Sequence, residues 1–305
     1  MKQSLFTTLL AVCIIATSCN ESTNKNQSNE AETAEHVIDT ILKDRGLLDQ
    51  EIYDKAVNAF HAMPSPIEFT GIIESADISF QKDVLLDPRS SSDYTTAFQK
   101  AVILGVFGAE MSYCGIHNQQ QDALKFMAAS KRVAGGIGIH DAFSSSVVER
   151  ANANMDNKDS MLIILSEVYW NINSQLNEEN RNQIELLILC SGWIETLFLS
   201  TSGLGDTPPE MVVQRIMEQR YSALEIKSLL DSYPTDPMIT DIREIISPVL
   251  SSYENITFVD GESTMKEGSN GTMTIGGTMK LDYSNDDFVA LKNTIVETRD
   301  KLIAI

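Results

Sequence analysis

The stretch DYTTAFQKAVILGVFGAEMSYCGIHNQQQDALKFMAASKRVA, Asp93–Ala134, fixes the fold class. Its apolar period predicts one helix, a break at Gly115, and a second helix ending at Gly135-Gly136. Ala97, Ala101, Gly105 and Ala109 recur every fourth residue along the first helix. A stripe of small residues lets another helix come close, because little side chain separates the two backbones. The natural partner is QIELLILCSGWIETLFLS, which starts at Gln183. A glycine inside a helix costs about 1 kcal/mol relative to alanine, so Gly192 there points to close packing. The expectation is that Gly105 and Gly192 meet.

Working outward, helix signals fill most of the chain. Glu35 to Arg45 and Asp49 to Met63 read as amphipathic helices. Ser65-Pro66-Ile67-Glu68 supplies a capping box for a helix continuing to Asp87. Asn118-Gln119-Gln120-Gln121 resembles the same device at the start of the second central helix, and Ser146-Val147-Val148-Glu149 caps a shorter one. MLIILSEVYWNINSQL, from Met161, and the Gln183 stretch are apolar enough to be buried nearly all round. Glu167, Glu185 and Glu195 within them argue against membrane spans. Thr207-Pro208-Pro209-Glu210 opens a long helix to Tyr233. Pro237 opens another, which Pro248 should kink or split.

After Asn255 the period changes to two, and Asn270-Gly271 supplies turn chemistry for a two-stranded hairpin. A closing helix from Asp286 to Ile303 puts Phe288, Leu291, Ile295 and Leu302 on one face. The expected fold is all-α: a multi-helix bundle or irregular α-solenoid of antiparallel helices, with a small C-terminal β-hairpin and a closing helix. The helical domain is assigned to 35–254, with 255–305 packed on it. No tetratricopeptide spacing is present.

The N-terminus reads as an address. Lys2, the apolar run LFTTLLAVCIIA and the small residues before Cys19 form a secretory signal over residues 1–18. Small residues directly before a cysteine are those of a bacterial lipoprotein signal, in which Cys19 is acylated and retained. Residues 19–34 are polar and aperiodic, a tether between lipid and body. The membrane is then a partner through the lipid on Cys19 alone. Asn20 rather than aspartate after the cysteine favours outer-membrane sorting, facing the periplasm or the cell surface.

The formal net charge of −20 excludes a phosphate-binding surface of nucleic-acid type. The four cysteines lose Cys13 with the signal and Cys19 to lipid. Cys114 and Cys190 remain, either as two buried thiols or as a helix-to-helix disulfide. With only four histidines and no metal-ligand spacing, no metal site is expected, and no cofactor motif is present. GxSxG, HExxH, Walker and GxGxxG signatures are missing.

What remains for chemistry is polar side chains set in apolar helices. Glu110 and Tyr113 share one helix face, and His117 follows a turn later. Trp193 and Glu195 follow Gly192. If the two glycine helices pack, Glu110 and Glu195 would face one cavity, and neighbouring buried carboxylates raise at least one pKa. These five residues are the candidate ligand-binding set. The competing interpretation is structural: glutamates paired with Lys100, Lys125, Lys131 or Arg132, and aromatics serving the core.

PSPIE at Pro64–Glu68, LGVFGAEMSY at Leu104–Tyr113 and GWIE at Gly192–Glu195 resemble exported lipoproteins of Bacteroidetes bacteria. The resemblance spans roughly Met63 to Tyr233 plus the lipoprotein signal. It implies a helical, lipid-anchored, exported protein and brings no activity. Cys190-Ser191 stands where that pattern has a small pair such as Gly-Gly. The function expected is a lipid-anchored envelope binding or scaffold protein. The alternatives are a carboxylate-based enzyme such as a hydrolase, and an accessory subunit that binds an envelope protein in an outer-membrane complex.

Overall fold

A computed structural model describes residues 78–154, 157–205, 208–267 and 273–305, with residues 258, 260–267 and 273–280 described as backbone. The signal, the tether, Cys19 and the helices expected between Glu35 and residue 77 lie outside these residues. Two 3₁₀ turns, Lys82–Val84 and Pro88–Ser92, precede nine helices. These are α1 (Ala97–Ile116), α2 (Gln120–Gly135), α3 (Ser145–Ala153), α4 (Lys158–Glu178), α5 (Asn182–Ser202), α6 (Glu210–Met217), α7 (Arg220–Asp231), α8 (Pro237–Glu254) and α9 (Asn285–Ile303). Strands β1 (Thr257–Glu267) and β2 (Met273–Asp282) lie between α8 and α9. They pair antiparallel from Thr257↔Asp282 to Glu267↔Met273, with a bulge between Asp260 and Ser263. The turn residues Asn270 and Gly271 fall outside the described residues.

The fold is an all-α bundle. In a solenoid each element would touch only its sequence neighbours. Here α5 touches α1, α8 and α9 as well as α4, and α1 is its most extensive neighbour. Gly105 is the reason. A Cβ at that position would stand 2.2 Å from Ser191 Oγ and 2.3 Å from the Ile188 carbonyl. A Cβ on Gly192 would come within 3.4 Å of the Gly105 carbonyl oxygen. The expected meeting of the two glycines is therefore present. The pair runs in the same direction, since Glu110 and Glu195, both further along, again lie together through Arg299. The antiparallel expectation does not extend to this central pair.

Helix ends follow local chemistry, often a residue or two from where the sequence suggested. Gly115 stays inside α1, and the chain breaks after it at Asn118, whose φ is 56°. Gln119 N–H donates to Cys114 O and Asn118 N–H to Gly115 O, a Schellman closure with asparagine in the left-handed position. Asn118 thus ends α1 and cannot also cap α2, which begins with no side-chain cap. Asn180 closes α4 in the same way, and Gly138, with φ 80°, completes the closure of α2. Ser144, rather than Ser146, caps α3 through Val147 N–H.

The helix expected from Glu210 to Tyr233 is two helices. Tyr253 O–H donates to the Ile216 carbonyl and Arg220 Nε to the Ile256 carbonyl, so the end of α8 holds the break in place. Pro248 does not split α8. The Glu244 carbonyl it leaves without an N–H accepts from Ser247 Oγ at 3.2 Å. Helix α4 is not buried all round: Ile163 is 61% and Trp170 36% exposed. α5 is the helix long and apolar enough to cross a membrane among the described residues, but most of it is packed inside the bundle.

Residues 78–87 form no continuous helix. They run as an extended strap with one 3₁₀ turn, because their backbone polar groups bond to side chains of α1 and α9 instead of to one another.

Candidate functional site

The sequence places Glu110 on α1 and Glu195 on α5, and the packed glycines bring both into one fully buried position. A third group enters between them. Arg299 of α9 donates from Nε to Glu195 Oε2 at 3.1 Å and from a terminal nitrogen to Glu195 Oε1 at 3.4 Å. The same terminal nitrogen lies 3.8 Å from Glu110 Oε1 and donates to the Val84 carbonyl at 3.1 Å. The guanidinium also stacks 4.5 Å over the Phe198 ring. Glu110 Oε1 accepts from Leu86 N–H at 2.6 Å, while Oε2 has no partner among the described residues.

Burial, and then the Glu195 charge, push the Glu110 carboxyl well above the usual carboxylate range. Burial also raises Glu195, but Arg299 opposes this through charge and hydrogen bonds. Two carboxylates share one cation here. The arrangement that balances charge is an ionised Glu195–Arg299 pair with Glu110 carrying a proton.

Tyr113 and His117 stand one and two turns along α1, under the strap. Tyr113 Oη accepts from Gln81 N–H at 3.0 Å and donates to the Ser79 carbonyl at 3.3 Å. The ring of Phe80 lies 5.5 Å from Tyr113 and 5.7 Å from His117, and those two rings meet edge-on at 4.5 Å. Burial, with Lys158 adding to it, lowers the His117 pKa, so the imidazole is neutral. Trp193 is not part of this group. It is fully buried against Tyr253, ring centres 5.9 Å apart, in the contact between α5 and α8.

The space proposed for a ligand is thus filled by the chain itself, by Arg299 from one side and by strap residues 78–86 from another. Glutamates tied up in this way give no support to a carboxylate hydrolase between the central helices. The partner of the glutamates is Arg299 and none of Lys100, Lys125, Lys131 or Arg132. Lys125 pairs with Asp122, Lys100 bonds the Thr95 carbonyl and Arg132 bonds Ser91 Oγ. The signal for Arg299 was nevertheless present, because Ile295 plus four lands on the buried face of α9. An arginine at a core register requires a buried counter-charge.

The disulfide alternative is corrected: Cys114 and Cys190 are both free and buried. Gly105 sits level with Ser191, so Cys114 lies about ten residues, roughly 15 Å of helix rise, beyond Cys190. A disulfide tolerates Cα separations of no more than about 7 Å. Burial pushes the Cys114 thiol up to about 12.

A further carboxyl lies away from this group. Glu185, in the first turn of α5, is pushed up to about 8 by burial and lies in the electrostatic reach of Tyr169 and Tyr233.

Comparison with protein-family models, curated proteins and solved structures finds no match to the chain.

Proposed function

We propose that this chain is a lipid-anchored binding or scaffold protein of the cell envelope. Its acyl group would sit on Cys19, residues 20–34 would act as a tether, and the helical body would face the periplasm or the cell surface of the outer membrane. What supports binding over catalysis is the fate of Glu110 and Glu195, which Arg299 and the strap close off inside the core. With both glutamates closed off, the surface is left as the place where a partner would bind.

Labelling with a radioactive fatty acid in wild type and Cys19→Ala tests the anchor. Incorporation in wild type alone is expected, and equal incorporation in both would end the lipoprotein reading. A tagged copy captured from detergent-solubilised envelope tests the binding role.

The accessory-subunit reading draws on one observation. Ile163 and Trp170 are exposed two turns apart on the same face of α4. If a protein partner is captured reproducibly, Ile163→Glu should reduce its recovery. Undiminished recovery would place the partner elsewhere.

A further inference from the structure

The strap and the outer face of α2 enclose an open groove of about 710 Å³. That volume lies within the range of about 300–1,000 Å³ usual for small-molecule sites. Its floor is apolar, formed by Leu85, Leu86, Phe126 and Ala129. Charge is gathered at its two ends. At one end Lys82 and Lys125 both hold Asp122, at 2.8 and 2.6 Å, so two cations share one carboxylate. At the other end Arg89 is occupied by Asp87, while Arg132 bonds the neutral Ser91 hydroxyl and, among the described residues, pairs with no carboxylate. Asp122 and Arg132 are ten residues apart on α2, roughly 15 Å along its axis.

Four cations face three carboxylates across this lining. In a chain with 43 acidic and 23 basic residues, that is a local reversal of sign. Asp83 also lines the groove but forms no ion pair among the described residues, so each end sets two cations against one ion-paired carboxylate. Between the ends the lining side chains are apolar.

We propose that the groove binds an elongated organic acid with an anionic group at each end and an apolar middle. One carboxylate would be held by Lys82 and Lys125 beside Asp122, and the other by Arg132, whose guanidinium suits a planar carboxylate. The inference rests on the reading of this chain as a binding protein and gives that reading a ligand class.

The test is isothermal titration of the full chain, in nonionic detergent, with sebacate. The controls are its monomethyl ester, which has one anionic end, and succinate, which is too short to span the groove. Sebacate is expected to bind at least about tenfold more tightly than either control. Arg132→Gln should bring sebacate down to the level of the ester. Lys131→Gln, which removes an exposed charge beside Arg132 but outside the groove, should leave sebacate binding unchanged.

Absence of sebacate binding overturns the proposal. So does an ester that binds as well as the diacid, or a Lys131→Gln loss equal to that of Arg132→Gln. Each of these results would leave the fatty-acid labelling and the envelope capture untouched, so failure of the ligand class is distinct from failure of the binding role.

Discussion

Arg299 carries a charge into the core that only Glu195 and Glu110 balance, and its removal strands an ionised carboxylate in apolar surroundings. Breaking a buried pair by deleting one partner costs about 3–5 kcal/mol. Arg299→Ala is expected to lose that much in urea unfolding. Glu110→Gln should lose less than about 1 kcal/mol, because the side chain it replaces is already neutral and the amide oxygen can still accept from Leu86 N–H. Equal losses would mean that Glu110 is ionised. Glu185 makes a separate pH prediction. Its folded-state pKa of about 8 lies above that of the unfolded chain, so the native state binds the additional proton. The stability from this group is complete below the ordinary glutamate pKa of about 4.3 and is lost as pH rises through about 8. Stability should fall between about pH 5 and about pH 8. Glu185→Gln should flatten that slope, and an unchanged slope in the variant would remove Glu185 as its cause.

At the level of elements, the glycines of α1 make opposite predictions. A methyl group on Gly105 collides with the backbone of α5, which cannot yield as a side chain can. Gly105→Ala is expected to cost about 3 kcal/mol or more. Gly108 lies in the same helix with nothing within 4 Å of an added Cβ. Gly108→Ala should therefore stabilise by about 0.5–1 kcal/mol, since alanine restricts the unfolded chain and favours helix. Thermal melts of the two variants should move in opposite directions. A shift of the same sign in both would mean that the close contact between α1 and α5 is not what Gly105 provides. That contact was legible because small residues at a fixed period have few other uses. The strap was not, since residues 78–87 bond to side chains far away in sequence and leave no local period.

For the molecule as a whole, α9 closes the bundle. It supplies Phe288, Leu291, Ile295 and Leu302 to the core and Arg299 to the glutamates. Ending the chain at residue 284 removes all five groups at once. The truncated protein is expected to lose its cooperative urea transition, followed by far-UV circular dichroism. A full-length midpoint retained in the truncation would mean that the rest of the bundle is complete without α9. The extended face of α9 was plain in the sequence, while its target was not. Glu195 and Arg299 are 104 residues apart, and nothing local pairs them.

The order of the amino acids determined most of the described helices, the two C-terminal strands and the meeting of Gly105 with Gly192, because periodicity, capping chemistry and missing side chains act over a few residues. It also identified Glu110, Tyr113, His117, Trp193 and Glu195 as polar or aromatic groups in apolar helices. Whether those groups met a ligand or one another was decided by tertiary structure alone. A buried charge takes whichever counter-charge the completed packing delivers, and here the last helix delivers Arg299 while the strap covers what remains. The groove outside the strap arises at the same level, from two segments whose cations are far apart in sequence and come together only when the strap lies along α2.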